Sequence, residues 1–217
     1  MEWSWHPVQL SLYVASVATI ITFIIAIGFA YWMSTKRVRG RVLLETIFFM
    51  PLVLPPTVIG FFFIIIFGRK GWVGQAIESF TGTSIMFTST AAVIAAAVVA
   101  FPLMYQSFKT GFQSVDPNII DAAKVDGANS FTLLTKIFIP LSKRTILTGV
   151  ILGFTRGFGE FGATLMFAGN IPGRTQTIPT AIYLAIETNQ TTIAWYYVFI
   201  SVGFSFLLLF MINRVRG

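Results

Sequence analysis

Five apolar runs, at residues 10–33, 43–67, about 87–108, about 145–168 and about 193–212, dominate this 217-residue sequence. About twenty predominantly apolar residues, rising 1.5 Å each, cross the hydrocarbon core of a bilayer as a helix. Lipid offers no partner to a backbone N–H or C=O, so a run of this kind must satisfy its polar groups internally, which makes helix the predicted state of all five. Only 11% of the residues are charged and 55% are hydrophobic, whereas a soluble domain averages about 25% charged residues. The sequence therefore predicts an all-α integral membrane protein with about five transmembrane helices in one domain, 1–217. The first 33 residues lack a basic leading segment and run on too long for a cleaved signal, so the first run is expected to be a membrane span.

Charge then assigns sides. Lys36, Arg37, Arg39 and Arg41 fall in the first connection. Lys109, Lys124, Lys136, Lys143 and Arg144 fall in the long third connection, at about 109–144, and Arg214 and Arg216 at the C-terminus. These eleven cations face three, Arg69, Lys70 and Arg174, on the other side. Cytoplasmic connections carry the excess of Lys and Arg, so the N-terminus is expected outside and the C-terminus in the cytoplasm of a multi-pass cell-membrane protein. Trp3, Trp5, Trp72, Trp195, Tyr196 and Tyr197 all fall where an outer aromatic belt would lie. In this setting the net charge of +7 reads as topology and not as a nucleic-acid footprint. The chain has no Cys and a single His6, which excludes disulfides and leaves no expected metal site.

Polar and helix-breaking residues inside the runs mark the functional candidates. The second run contains Pro51, Pro55 and Pro56; proline removes a backbone donor and bends a helix, and bent helices often line transport paths, so Pro55 and Pro56 are candidates for the path or gate. In the fourth run Arg156 and Glu160 are four apart and are expected to pair on one helix face, either as a structural pair or as gate residues, with Arg156 also a candidate for contact with the anion. Gly157, Gly159 and Gly162 beside them would let a neighbouring helix approach closely, and Gly162 is a further candidate for the path or gate. Beyond this run, Gly169–Thr177 is a polar turn. Asn170, Arg174 and Thr175 are there as candidates for contact with an external protein or anion, or as parts of a plain loop. Ile178, Ile182 and Ile186 recur at helical spacing and predict a short amphipathic helix at the outer face.

The long third connection reads as two helices. Asp116 is a good N-cap, Pro117 suits the first helical position, and Gly127 suits the position after the last turn, which predicts a short helix over 117–126. Ala122 and Ala123 would make its surface small enough to enter a groove on a partner. Asn129 or Ser130 then caps a second helix, expected to end at Pro140.

Asp121-Ala122-Ala123, with Gly127 and then Ile137-Phe-Ile-Pro140, resembles the cytoplasmic signature of ATP-binding cassette importer permeases, with Asp for Glu and Ile for Leu at matching spacing. Gly159-Glu-Phe-Gly-Ala-Thr164 and Gly169-Asn-Ile-Pro-Gly-Arg-Thr-Gln-Thr177, followed by Ala181-Ile-Tyr183, resemble the molybdate branch of that family, over most of the chain from about residue 10. The resemblance implies a type I importer permease fold and an ATPase-coupling role for Asp121, Ala122, Ala123, Gly127, Ile137 and Pro140. It implies a homodimer with the path at its interface, two copies of an ATPase subunit that carries the ATP and Mg, and an extracytoplasmic oxyanion-binding protein. The chain itself would bind no cofactor. Molybdate is the cargo this branch implies; tungstate, sulfate and a stand-alone secondary anion transporter are the alternatives. No phosphate-cradling Gly-x-x-x-x-Gly-Lys-Ser/Thr loop and no catalytic set of side chains is present, so the chain is expected to be a transport subunit and not an enzyme.

Overall fold

A computed structural model describes the backbone of residues 3–216 and side chains of residues 3–214. Met1, Glu2 and Gly217, and the side chains of Val215 and Arg216, lie outside the described residues. The elements are α1 (His6–Thr35), α2 (Arg41–Val53), α3 (Pro56–Phe67), α4 (Trp72–Thr81), α5 (Ser89–Gln113) and α6 (Pro117–Val125). After these come α7 (Ser130–Thr132), a π-helical stretch (Leu133–Phe138), α8 (Ile139–Leu141), α9 (Lys143–Phe158), α10 (Gly162–Phe167), α11 (Ile178–Glu187) and α12 (Thr191–Arg216).

α5 is the central post. Its Ala-rich first half buries Ala91, Ala92, Ala95, Ala96, Val99 and Ala100 almost completely, because small side chains let α1 and α9 come close. α9 runs antiparallel to it. A methyl on Gly149 would meet the Phe108 ring at 2.8 Å, and one on Gly153 would meet Met104 at 2.4 Å. The wider half of α5 carries Met104, Tyr105, Phe108 and Phe112, which fill a second core with Ala26, Ala30 and Met33 of α1. Trp3 packs on Tyr197 at 4.7 Å and the Tyr197 hydroxyl donates to the Ser4 carbonyl at 2.8 Å, so α12 begins at the end of the bundle where α1 begins.

Among the described residues three helices, α1, α5 and α12, are individually long and apolar enough to cross a membrane, and up to five crossings result if each of two bent pairs counts as one. The second predicted span is one of these pairs. It breaks at Leu54–Pro55 with a bend of 112° between α2 and α3, where Pro55 and Pro56 cannot supply the donors that a continuous helix needs. Pro51 is accommodated inside α2. Both halves still advance along α5. Phe48 of α2 packs against Phe101 and Tyr105, while Ile59 and Phe63 of α3 join the core around Ala91, Ala92 and Val93.

The fourth predicted span differs more. A bend of 83° at Ser142 separates Ser130–Leu141 from α9, and a second break at Gly159–Phe161 separates α9 from α10. The expectation that Pro140 ends the preceding helix is displaced by two residues: the chain passes through Pro140 and turns at Ser142. A π turn widens the helix just before the proline, where its ring would otherwise collide with the carbonyl four residues back. The α11 expectation also changes in detail. Its buried face is Ile178, Ala181 and Ala185, whereas Ile186 is 63% exposed, because small alanines permit the closer approach. α4 was not anticipated from the sequence.

Candidate functional site

At one end of the bundle the chain leaves α5 and builds a capped helical turn. The Asp116 carboxylate accepts from the Asn118 amide at 2.8 Å, and Pro117 opens α6. The Gly127 amide donates to the Lys124 carbonyl and the Ala128 amide donates to the Ala123 carbonyl, at 3.0 and 2.9 Å, closing the helix with a left-handed residue. Gly127 sits at φ +84° with open space where a side chain would begin, so backbone conformation and not crowding requires the glycine. Asn129 then caps the next helix by accepting from the Thr132 amide at 2.9 Å.

The sequence-predicted residues divide between two surfaces here. Asp121 and Ala122 are exposed, and Asp121 pairs with Lys124 at 2.8 Å on the surface. Ala123 turns inward and packs with Ile120 and Ile137 against the core around Phe138, so the small surface expected of both alanines is that of Ala122 alone. Pro140 is exposed and Ile137 half-buried. Val125 and Phe131 stand 88% and 74% exposed on either side of the Gly127 turn, an apolar pair that faces away from the rest of the chain. A cavity of about 390 Å³, lined by Tyr31, Lys36, Gln113, Ile120, Lys124 and Leu133, separates α6 from the ends of α1 and α5.

The second group lies at the α9–α10 break. Arg156 and Glu160 pair at 2.6 Å, but not along one helix face: α9 ends at Phe158, and Glu160 lies in the connection. The second oxygen of its carboxylate accepts from the Ala163 amide at 2.9 Å, satisfying an orphan donor of the first turn of α10. The Glu160 side chain is 2% exposed and that of Arg156 28%. Gly162 faces the bend of α2–α3, where a methyl would meet Pro56 Cβ at 2.7 Å; one turn on, a methyl on Gly60 would meet Met166 Cβ at 2.8 Å. Pro55, Pro56, Glu160 and Gly162 are thus brought together where two broken elements touch. Gly157 and Gly159 are looser, with nothing nearer than 3.6 Å to an added methyl.

The polar turn that follows is largely internal. Thr175 is fully buried and its hydroxyl accepts from the Ile171 amide at 3.0 Å; placing it among the outward-facing contacts is therefore corrected. Asn170 is half-buried and donates to the Thr180 carbonyl at 3.1 Å, while Arg174 is exposed. Thr177 and Thr180 form a capping box at the start of α11, and Ser11 of α1 accepts from the Ile178 amide at 2.8 Å. Near the far end of α11 the Tyr183 hydroxyl donates to Glu187; that bond, and the carboxylate's charge, hold the phenol proton and push its pKa above the usual tyrosine value.

Sequence reasoning missed one cluster. Glu45 of α2 pairs with Lys109 of α5 at 2.7 Å and with Arg41 at 3.1 Å, and accepts from the Tyr105 hydroxyl at 3.2 Å. The Arg41–Glu45 spacing of four was a visible signal; the approach of Lys109, 64 positions away, had none.

Among relatives of known description, the chain is 54% identical over 210 residues to a putative molybdenum transport system permease protein, YvgM, of Bacillus subtilis (strain 168), covering 97% of this chain and 92% of that one. It is 39% identical over 184 residues to the molybdenum transport system permease protein ModB of Escherichia coli (strain K12), covering 85% and 80%. In fold it is similar to a chain of a bacterial alginate ABC transporter in complex with an alginate pentasaccharide-bound periplasmic protein, with a TM-score of 0.78 at 15% identity, over 99% of this chain and 78% of that one. It is also similar to a chain of the inward-facing MetNI methionine ABC transporter, with a TM-score of 0.65 at 16% identity, over 96% and 94%. The low identities make these two a likeness of fold. The model of the binding-protein-dependent transport system inner membrane component matches residues 23–216, and the chain belongs to that family of membrane transport subunits.

Proposed function

We propose that this chain is the membrane-spanning subunit of an ATP-driven molybdate importer. The observation that carries the cargo is the 54% identity, over nearly the whole of both chains, to a putative molybdenum permease. The family and the geometry support the division of labour. Two copies of the chain would enclose the path between them. Two copies of a separate subunit would bind and hydrolyse ATP with its Mg²⁺, and an extracytoplasmic binding protein would deliver the oxyanion. The N-terminus would lie outside and the C-terminus in the cytoplasm.

In this reading α6 and the Gly127 turn enter a cleft of the ATPase. Val125 and Phe131 supply apolar contact, Ala122 leaves room, and Asp121–Lys124 lie at the rim. The cavity beneath α6 leaves it free to shift against α1 and α5 as the ATPase pair closes. Ile137 and Pro140 connect that displacement through the Ser142 bend to α9. At the top of α9 the Arg156–Glu160 pair and the Pro56–Gly162 contact would carry it to the gate. Arg174 remains the outward contact for the binding protein, since both polar atoms of the Asn170 side chain are turned into the protein.

The test is the ATPase activity of the reconstituted complex with its binding protein, loaded in turn with molybdate, tungstate and sulfate. Stimulation by molybdate is the expected result. Stimulation by sulfate alone would keep the importer and overturn the cargo, and the absence of any co-purifying ATPase would overturn the whole reading.

A further inference from the structure

At the end of the bundle opposite α6, the chain leaves α3 at Phe67, turns through Gly68–Gly71 and enters α4. Gly74 is buried against this turn: a methyl there would lie 2.1 Å from the Gly68 carbonyl oxygen, so the glycine is what lets α4 fold down at this angle. At 100° per residue, Trp72, Val73, Ala76, Ile77 and Phe80 fall within an arc of about 140° and Gly74, Gln75, Glu78, Ser79 and Thr81 occupy the rest. Val73 and Ile77 are half-buried on the protein. The outward surface is split lengthwise, with Trp72 at 77% and Phe80 at 90% exposed beside Ala76 on one strip, and Gln75 and Ser79 on the other. α4 has ten residues, too short to cross a bilayer.

We propose that α4 is an in-plane anchor seated in the headgroup layer, with Arg69 and Lys70 holding the phosphate of an anionic lipid. A helix with an apolar strip, a polar strip and cations alongside lies in the interface. The lipid follows from continuity and from charge. Phe61 and Ile65 of α3, the second half of the bent α2–α3 span, are exposed, at 53% and 55%, and lead into the turn that carries both cations. Arg69 and Lys70 line a cavity of about 730 Å³ whose other walls include Ile64, Ile65, Met86 and Phe87, a charged rim over an apolar floor that suits a headgroup and the start of its chains. The inference needs only that the chain crosses a bilayer and is independent of the cargo.

The absence of cysteine makes single spin labels clean. Ala76→Cys and Ser79→Cys permeases, labelled and assembled with the ATPase subunits in bilayer discs, are compared for collision with dissolved oxygen, which concentrates in lipid, and with a water-soluble nickel chelate. The label at 76 is expected to favour oxygen and the label at 79 nickel. A label at 76 shielded from both would place a second copy or another protein on the strip, and one open to nickel would place it in water; either overturns the proposal. Discs of phosphatidylglycerol and of phosphatidylcholine then test the cations. The label at 76 is expected to sit deeper in the anionic discs, and Arg69→Gln with Lys70→Gln to abolish that difference. Equal depth in the two lipids for the unaltered cations would overturn the anionic-lipid assignment.

Discussion

α2 and α3 come from one apolar stretch of sequence, yet they are held by different physics. α3 buries Ile59, Gly60 and Phe63, and fits α10 by shape at Pro56–Gly162 and Gly60–Met166. α2 buries no residue, and Val42 and Val53 at its ends are 81% and 82% exposed. Its polar tie to the bundle is the Glu45–Lys109–Tyr105 cluster, beside the aromatic contacts of Phe48. Close packing resists displacement in every direction because each added or removed atom is felt. A charge cluster at partial exposure tolerates sliding. The proline break therefore separates a half built to stay with α10 from a half able to move against α5.

The contrast can be broken most severely at the shape-matched half. Gly162→Leu would drive several atoms into Pro56 and is expected to cost roughly 3 kcal/mol or more, at or above the usual range for overpacking. The measurable outcome is loss of folded, detergent-stable protein together with uptake; normal yield and uptake would show that α3 and α10 separate freely. Next in size is Glu160→Gln. It keeps the shape and one acceptor but strands Arg156, for about 2–3 kcal/mol, below the full penalty of a broken buried pair because Arg156 is partly solvated. The double variant with Arg156→Met is expected to recover part of that loss in thermal unfolding; strictly additive losses would show that the two side chains do not interact.

Lys109→Met tests the other half, with an expected cost of about 1.5–2 kcal/mol, the lower part of the range for a hydrogen bond to a charged group because Glu45 is partly exposed. Hydrogen exchange should quicken across residues 41–53 and stay unchanged across 56–67. Equal quickening in both would erase the distinction between them. The smallest effect is at the remote α6 turn. Gly127→Ala forces a side chain into the left-handed region at about 1 kcal/mol. It should leave membrane insertion intact while lowering ATPase stimulation by the loaded binding protein; full stimulation would count against α6 as the contact.

The apolar runs and the α6 caps were legible because they are local: Asp116, Pro117 and Gly127 each act within a few residues of themselves. The family resemblance was legible at Asp121–Gly127 for the same reason. What could not be read were consequences of distant approach. Pro55 and Pro56 announced a bend, but not that Gly162 would be its partner, more than a hundred positions on. The Arg156–Glu160 spacing announced a pair, but the helix end between them depends on how α10 meets α3. Thr175 looked like an outward polar residue because its amino-acid type is polar; its hydroxyl is used up by the Ile171 amide inside the turn. α4 was hidden because ten residues of mixed polarity look like a loop until Gly74 is seen against the end of α3.

Glu160 divides its two oxygens between a guanidinium and a backbone amide. Any motion that separates α9 from α10 must release one of them, leaving either a buried anion without its cation or a helix start without its acceptor. Half-open arrangements of this junction are thus penalised more than arrangements in which both bonds are made or both are replaced together. A single carboxylate ties the end of α9 to the start of α10, so the two are expected to shift together and not one at a time.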